Sequence, residues 1–448
     1  MLGPNEAKSL AQTLIERAIA AGASAADALY AGERSSSVAV RKGALEGVSR
    51  SEGESIGLRL MLGQRSATIA TSDLSHDSMS TLVERGLEMA RLAPDDPYVG
   101  LAPAELLATG ALPEIESDDT VEPDPDVLRT RALEAESSGL AVSGITNSGG
   151  AGASASSSTV ALATSAGFVG AYRSSGHGHS VSLIAGEGEA MERDHAWHSA
   201  RFLEDLDPAV DVGRMAGERA AARLGSTRPK PGRYPVLFDP RVSASLLAHF
   251  SSAISGAAIA RKTSFLLDKL GERIFRKDLT IIDDPLRPRG LRSRRFDGEG
   301  VRVERRELVS KGRLKQWISE TASARQLGIA PTGHATRGPS GAPGVGPSNL
   351  YLAPGKRSRE QLLAAFPEAV LIIELIGQGV NGVTGDYSRG AVGFMVRGGE
   401  IAEPVSEITI ASNLLDMYAS LEPGSDLELR RGIDAPTILI PEMMVGAA

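Results

Sequence analysis

The chain contains no cysteine, and this absence excludes disulfides, a thiol nucleophile and thiolate ligands for zinc. Aromatic residues make up only 4% of the 448 residues, so the core must rest on Ala, Val, Ile and Leu. No apolar run reaches the roughly 18 residues that a membrane-spanning helix needs. Residues 1–21 show the apolar spacing of an amphipathic helix and lack the basic and apolar regions of a signal peptide. We therefore expect a cytoplasmic protein.

The sequence also lacks an excess of positive charge. Its formal net charge is −8, whereas phosphate contacts require clustered Lys and Arg. Charged residues make up 23% and apolar residues 42%, as in ordinary globular proteins. The composition predicts a globular protein whose partners are neither nucleic acid nor a membrane.

The distribution of patterns predicts an α+β fold with two domains. Residues 1–225 show helical segments around several short alternating strands, which predicts an N-terminal α/β domain with a mainly antiparallel sheet and flanking helices. Residues 226–448 predict a β-rich C-terminal domain with few helices. A charged segment with two prolines, residues 225–233, lies between them and is typical of a domain boundary.

Three irregular segments lead to separate expectations. Residues 149–158 are only Gly, Ala and Ser, which predicts a flexible surface connection. The arginine-rich residues 287–306 favour a strand with a solvated basic face, or else a site for an anionic partner or a peptide terminus. The Gly/Pro-rich residues 328–346 predict a long functional or mobile loop.

A strand followed by a helix is predicted over residues 235–256, and this helix holds one histidine, His249. Zinc hydrolysis on a helix needs two histidines one turn apart and a neighbouring Glu, and no HExxH or HExxxH string occurs in the chain. A lone histidine flanked by Leu246, Leu247 and Phe250 predicts a packed or capping residue.

Four histidines within 22 residues form a second candidate. His177 and His179 share one face of a predicted strand, and His195 and His198 follow on the next. They could form a metal site. The many serines and acidic residues nearby equally favour a polar sheet face.

A polar turn at residues 377–388 separates two apolar strands. Its Gly, Asn, Thr and Asp residues permit close backbone approach and side-chain bonds to the backbone. The pattern indicates a structured hairpin loop or a binding loop at a cleft or interface. It lacks the strand-to-helix context of a dinucleotide fingerprint, and the GxSxG string of serine hydrolases does not occur in the chain.

Several strings spread over nearly the whole chain together resemble the TldD/PmbA family, in its PmbA (TldE) branch. Each string alone is weak, but their order and spacing are specific. They are Gly57-Leu-Arg59, Met191-Glu-Arg-Asp194, Ala200-Arg201, Leu279-Thr-Ile-Ile-Asp283-Asp284-Pro285, Phe296-Asp297-Gly298-Glu299-Gly300, Thr332-Gly333-His334-Ala335-Thr336-Arg337, Ser348-Asn349-Leu350, and Gly379-Val380-Asn381 with Thr384-Gly385-Asp386.

The resemblance implies a division of labour. TldD-like members resemble zinc proteases with an HExxxH helix and a further Cys ligand, whereas PmbA-like members lack the motif. The two types pair around a cavity that admits unfolded or extended peptides, and some members are homodimers. Trimming the leader of a modified peptide antibiotic and degrading an antitoxin are among the roles of such pairs. No cofactor is expected in this chain, and zinc is expected in its TldD-like partner.

The leading hypothesis is thus a PmbA/TldE-like, non-catalytic subunit of a metalloprotease heterodimer. No catalytic residue can be assigned to it. Contacts with substrate or partner are expected at eight residues: Thr332, Arg337, Gly377, Gly379, Asn381, Thr384, Gly385 and Asp386. One alternative is an autonomous metal-dependent peptidase that uses the histidines at 177–198. Another is a peptide-binding interaction protein with no enzymatic role.

Overall fold

The first half of the chain forms one antiparallel six-stranded sheet with helices on it. The structure is a computed structural model and describes residues 1–447. The strand order is β3-β2-β1-β4-β5-β6. The elements are α1 (Pro4–Ala20), β1 (Ala25–Arg41), β2 (Ala44–Leu62), β3 (Arg65–Thr71), α2 (His76–Leu92), α3 (Pro125–Leu140), β4 (Ile145–Thr164), β5 (Val169–Ala185), β6 (Glu192–Ala200) and α4 (Ala209–Ala222), with short 3-10 turns at Ala104–Leu106, Gly188–Ala190 and Leu203–Asp205.

Four helices cover one long sheet through small apolar side chains. Helices α1 and α2 pack on one half of the sheet, where Ala7, Ala11, Leu14 and Ala18 form the buried stripe of α1. Helices α3 and α4 pack on the other half through a similar alanine-rich set. Alanine therefore takes the role that aromatic residues have in many cores, as the composition predicted.

The strands are longer than the sequence patterns indicated. The expected flexible connection at residues 149–158 is wrong, because the whole segment lies inside β4 and pairs with both β1 and β5. Its small side chains alternate between the two faces of the sheet. Gly53 also lies inside a strand, β2, where it is opposite Glu33 of β1. Glycine does not end a strand whose backbone is held by a neighbouring strand.

The second half contains two larger sheets with a helix between them. The orders are β16-β15-β14-β7-β19-β17 and β10-β9-β8-β13-β18, and β11 pairs with β12. The elements are β7 (Gly232–Phe238), α5 (Pro240–Ala253), α6 (Gly256–Ala260), β8 (Ile281–Asp283), β9 (Arg306–Ser310), β10 (Arg313–Leu314), α7 (Thr321–Leu327), β11 (Ala335–Thr336), β12 (Gly344–Val345), β13 (Leu350–Leu352), α8 (Arg359–Leu363), β14 (Glu368–Ile376), β15 (Asp386–Arg397), β16 (Glu400–Asn413), α9 (Leu414–Ser420), β17 (Glu422–Pro423), β18 (Ile433–Asp434) and β19 (Ile438–Ala447).

Helix α5 joins the two sheets. Its residues Leu246, Leu247 and Phe250 are buried in the same core as Val236 of β7 and Leu350 of β13. Most strand pairs are antiparallel, with parallel pairs at β7–β14 and β13–β18. Sheets with separate helices in both halves confirm the predicted α+β class.

The arginine-rich segment is not a strand. Strand β8 ends at Asp283 and β9 begins at Arg306, so most of the segment is irregular. Its arginines bind other parts of the chain: Arg295 donates to the Pro113 carbonyl at 2.7 Å, and Arg294 donates to the Gly346 carbonyl at 3.0 Å. The expected solvated basic face is wrong, because these side chains donate to main-chain carbonyls: Arg295 reaches the first half of the chain, and Arg294 binds within the second half.

No helix within residues 1–447 has the length and apolar character required to cross a membrane.

Candidate functional site

One polar face of helix α5 is turned away from the core and lines two cavities. The helix begins at Pro240 because the Asp239 side chain accepts from the backbone N–H of Arg241 at 3.0 Å and caps it. Residues 241, 245, 249 and 252 are three or four positions apart and therefore share a face. The face runs Arg, Ser, His, Ser, opposite the buried Leu246, Leu247 and Phe250.

The first cavity, which we call the His249 pocket, lies at the C-terminal end of α5 and encloses about 510 Å³. Its walls come from α5, from the start of α6 and the turn after it, and from the two long loops in the second half of the chain. The lining residues are His249, Ser251, Ser252, Ala253, Ser255, Ala258, Arg261, Thr263, Phe265, Val345, Pro347, Gln378, Val380, Gly382 and Leu414. The structure thus brings the 328–346 and 377–388 regions together beside His249.

His249 is half-buried and lines the pocket, which adds to the expected packing role. Its ring meets that of Tyr387 edge-on, with centroids 6.2 Å apart. Burial, and then the charge of Arg389, lower the pKa of His249, so the ring is neutral near pH 7. Its Nε2 and the hydroxyl of Tyr387 are buried, and neither has a hydrogen-bond partner among the described residues.

The 377–388 loop is held in one conformation by its own polar residues. Asn381 Oδ1 accepts from the backbone N–H of Val383 at 2.9 Å, and Thr384 Oγ1 donates to Asp386 Oδ2 at 2.6 Å. Asn413 Nδ2 donates to the Thr384 carbonyl at 3.0 Å. The hydrogen bond that Thr384 donates to Asp386, and then one from Asn413 Nδ2 to Asp386 Oδ1 at 3.2 Å, lower the pKa of Asp386. The loop is therefore a structured hairpin connection that also forms a pocket wall.

The pocket is lined by neighbours of the predicted loop residues. Gln378, Val380 and Gly382 contribute to the wall, whereas Asn381, Thr384 and Asp386 shape the loop from within. Gly377 and Gly385 adopt positive φ angles of 79° and 82°, which favour glycine. At Gly379 a Cβ would lie 1.9 Å from the carbonyl oxygen of Ser388, so only glycine fits there.

Thr332 and Arg337 were expected to contact substrate or partner, and the structure shows Thr332 partly buried and the Arg337 side chain fully buried. Thr332 Oγ1 accepts from the backbone N–H of Ser319 at 2.8 Å. Arg337 has no exposed side-chain area and pairs with Asp27 of β1. Both residues connect segments of this chain, because non-local partners that the sequence pattern does not reveal enclose them.

The residues on α5 do not fit a zinc ion. A catalytic zinc site requires three protein ligands and an open position. The α5 face offers His249 alone, with Ser245 and Ser252 one turn to either side and Arg241 at its end. Across residues 1–447, no three His, Cys, Asp or Glu side chains are grouped so that they could hold a metal ion.

The four histidines at 177–198 do not converge. His177, His179 and His198 are buried on one face of the sheet, and His179 lies directly opposite His198. His195 lies on the other face with 66% of its side chain exposed, because neighbouring residues of a strand alternate. His177 Nε2 lies 3.0 Å from Asp119 Oδ2, and the backbone N–H of Asp207 donates to His198 Nδ1 at 2.9 Å.

The second cavity, which we call the interdomain cleft, continues from the other end of the α5 face. It encloses about 850 Å³ between β6 and α4 on one side and α5, the β14–β15 hairpin and residues 426–431 on the other. Arg241 and Ser245 line it from α5. Arg389 also lines it, and its charge reaches His249. Sequence reasoning missed this cleft, since its walls are far apart in the chain.

Comparisons with family models and with known proteins all give matches to one family. Three models of the PmbA/TldA metallopeptidase family match the chain: domain 1 over residues 26–90, the central domain over 113–224 and the C-terminal domain over 231–447. The chain is 38% identical to the metalloprotease PmbA of Escherichia coli O157:H7, covering 91% of this chain and 89% of that protein. It is 35% identical to a metalloprotease PmbA homolog of Haemophilus influenzae, covering 96% and 94%.

Solved structures share the fold. A protein from Bacteroides thetaiotaomicron, described as a candidate modulator of DNA gyrase, matches with a TM-score of 0.92 and 27% identity over 99% of both chains. TldE from Thermococcus kodakarensis matches in fold with a TM-score of 0.88 over 98% of this chain and 100% of that one, at 19% identity. The chain therefore belongs to the TldD/PmbA metallopeptidase family, in its PmbA (TldE) branch.

Proposed function

We propose that the chain is the non-catalytic subunit of a cytoplasmic TldD/TldE-type metalloprotease. The observation that carries the proposal is the α5 face. At the position where the zinc branch of the resembled family bears its metal motif, this helix presents one histidine and two serines to a pocket of about 510 Å³. The helix retains a cavity for a ligand but has no set of metal ligands.

The role of the subunit is to close the proteolytic chamber and to bind extended peptides. The His249 pocket and the interdomain cleft both open onto the α5 face, and Arg241 and Ser252 are separated by about 16 Å along the helix. That distance accommodates about five residues of an extended peptide. Serine hydroxyls and backbone groups of the 377–388 loop can bond to the peptide main chain and give broad specificity.

The partner supplies the chemistry in this proposal. A TldD-like subunit holds the zinc, and the pair trims leader peptides or degrades unfolded proteins such as an antitoxin. In the absence of that subunit, the chain pairs with a second copy of itself. His249 is neutral near pH 7 because of burial and Arg389, and it contributes packing and hydrogen bonding to the substrate path.

The test is metal content and peptidase activity of the chain alone, of a TldD-like protein from the same organism alone, and of the two mixed. We expect no stoichiometric metal and no activity in this chain, with activity in the mixture above that of the partner. Chelator-sensitive activity in the purified single chain would overturn the proposal. Metal that is lost in a His177→Ala/His179→Ala variant would instead support the autonomous peptidase.

A mixture no more active than the partner alone would favour a binding protein with no protease role.

The matched control for the His177→Ala/His179→Ala variant is His195→Ala, because His195 lies on the opposite, exposed face of the sheet from His177 and His179. It removes one histidine and leaves the buried histidines in place.

A further inference from the structure

We infer that the interdomain cleft contains a binding site for a peptide carboxylate, formed by Arg219, Arg389 and Arg431. The inference deepens the proposed function and rests on it for the identity of the ligand as a peptide. The carboxylate is that of a chain terminus or of an acidic side chain, since both present the same two oxygens to a guanidinium.

The charges of the cleft are unevenly paired. Six arginines and six carboxylates line it. Every carboxylate already has a partner: for example, Arg241 donates to Asp194 at 2.9 Å, and Arg359 donates to Asp239 at 2.8 Å. The other four are Asp207 and Glu428, which bind Arg430, Glu374, which binds Arg223, and Asp426, which accepts from Thr437.

Three arginines are left without a carboxylate. Across residues 1–447, no acidic oxygen lies within 4.0 Å of the guanidinium of Arg219, Arg389 or Arg431. Each donates only to a main-chain carbonyl: Arg219 to His195 at 3.5 Å, Arg389 to Ile376 at 3.3 Å and Arg431 to Pro240 at 2.7 Å. Arginine has five N–H donors, so most of their donor capacity remains available.

These arginines are also partly removed from water. Arg389 is only 9% exposed, and Arg219 and Arg431 are half-buried. Burial is the largest cause and lowers the pKa of Arg219 and of Arg431; the charge of Arg241 acts in the same direction on both, whereas Asp239 opposes it on both, Asp194 on Arg219 and Asp434 on Arg431. A buried charge is costly unless it is paired, and an anionic ligand would supply the missing partner.

The cleft also offers apolar surface beside these charges. Trp197 is 42% exposed, and the guanidinium carbon of Arg431 lies 5.6 Å from its ring centroid. An aromatic ring next to free arginines suits a peptide end that has both a side chain and a carboxylate. Arg389, which lines the cleft and influences His249, connects this end to the His249 pocket.

The experiment is calorimetric titration of the isolated full-length chain with three N-acetylated hexapeptides of alanine and leucine. The first has a free C-terminus, the second a C-terminal amide, and the third an amide with one internal glutamate. We expect the amide to bind about tenfold more weakly than the free acid, because charge-assisted hydrogen bonds are lost. If the free acid and the plain amide bind equally and the glutamate peptide binds more tightly, the site recognises a side-chain carboxylate. If all three bind equally, the inference is overturned.

Variants of helix α4 provide the matched comparison. Arg219→Gln should weaken the carboxylate peptide about tenfold and leave the plain amide unchanged, and Arg219→Lys should restore part of the loss. The control is Arg214→Gln, because Arg214 lies on the exposed side of the same helix and pairs with Asp211 and Glu218. Wild-type affinity in both Arg219→Gln and Arg431→Gln would contradict the site.

This binding assay and the mixing assay can fail separately. If the peptides show no carboxylate preference but activity appears on mixing, only the carboxylate site is contradicted. If binding depends on the carboxylate but mixing gives no gain in activity, the site stands and the protease role is contradicted. The tryptophan fluorescence of the chain should change on titration, and the change should be lost in a Trp197→Phe variant, which keeps Trp317. That result would locate the bound peptide in the cleft.

Discussion

Arg337 and Asp27 form an ion pair between residues that are 310 positions apart in the chain. Asp27 lies on β1 and also accepts from Arg59 Nε of β2 at 2.8 Å. The side chains of Asp27, Arg59 and Arg337 are 1%, 7% and 0% exposed. Glu299 lies 3.6 Å from Arg59 and extends the group. These four residues join the first sheet to the loops of the second half.

The first prediction concerns this buried group. Asp27→Asn removes the carboxylate partner of the buried Arg337 and leaves the buried Arg59 with Glu299 alone, at 3.6 Å, so we expect it to lower the free energy of unfolding by about 3–5 kcal/mol. Denaturant titration measures the change. Arg397→Gln is the control, because Arg397 forms an exposed ion pair with Glu403 whose loss should cost far less stability. An Asp27→Asn protein as stable as the control would show that the ion pairs do not hold the halves together.

The same contact explains strings that sequence reasoning could recognise but not interpret. In Gly57-Leu-Arg59, the arginine binds Asp27, and a Cβ on Gly57 would lie 1.7 Å from the carbonyl oxygen of Pro339. Asp297 and Glu299 likewise accept from backbone N–H groups in the second half, those of Ala335 in β11 and of Thr321 at the start of α7. These residues are required for docking between distant segments, so their roles could not be read from local periodicity.

Local signals predicted the elements that depend on local interactions. The helices α1 and α5 and the β14–β15 hairpin were expected near their observed positions, because apolar spacing, caps and turn residues lie within each of them. The continuous strand β4 and the irregular arginine-rich segment were not, because neighbouring strands and carbonyls elsewhere in the chain determine them. The candidate site was half predicted: its loops were identified, but the cleft arginines were not.

The second prediction is a loss of stability as the pH rises. Burial, and then the charge of Glu299, raise the pKa of Asp297 to about 7. The folded state thus holds a proton that the unfolded state releases near pH 4, so this contribution is present below pH 4 and is lost as the pH rises through 7. Unfolding measured at pH 5 and pH 8 in wild type and Asp297→Asn should give a stability difference that changes by about 2–3 kcal/mol. A difference independent of pH would contradict the shifted titration.

The third prediction has the opposite sign. Burial, and then the charges of Arg131 and His198, lower the pKa of His179 to about 4. The unfolded state binds a proton near pH 6.5, so the contribution is present above that pH and is lost as the pH falls through 4. Both ring nitrogens lack hydrogen-bond partners among the described residues. His179→Leu should therefore remove about 2 kcal/mol of acid sensitivity between pH 8 and pH 5.

The control for His179→Leu is His195→Gln, on the exposed face of β6. Thermal or denaturant unfolding of both variants at the two pH values makes the comparison. If His179→Leu and His195→Gln show the same pH dependence, His179 is not the acid-sensitive group. Added zinc that stabilises the wild type but not His179→Leu would revive the metal reading of this cluster.

The fourth prediction tests the 377–388 loop as the wall of the peptide path. Gly379→Ala places a methyl group 1.9 Å from the Ser388 carbonyl oxygen, so the loop must move away from β15 and shift Gln378 and Val380 in the pocket wall. Overpacking of this kind costs about 1–3 kcal/mol, which corresponds to at least about fivefold weaker binding if the peptide contacts the observed wall.

Gly53→Ala is the matched control, because a Cβ there would meet no atom within 4 Å and Gly53 lies in β2, outside the residues that line the His249 pocket. Peptide affinity of the isolated chain and peptidase rate with the TldD-like partner should fall together in Gly379→Ala and stay near wild type in Gly53→Ala. If Gly379→Ala remains folded and keeps both properties, the peptide does not contact this loop, and the path along α5 must be bounded by the Val345 side alone.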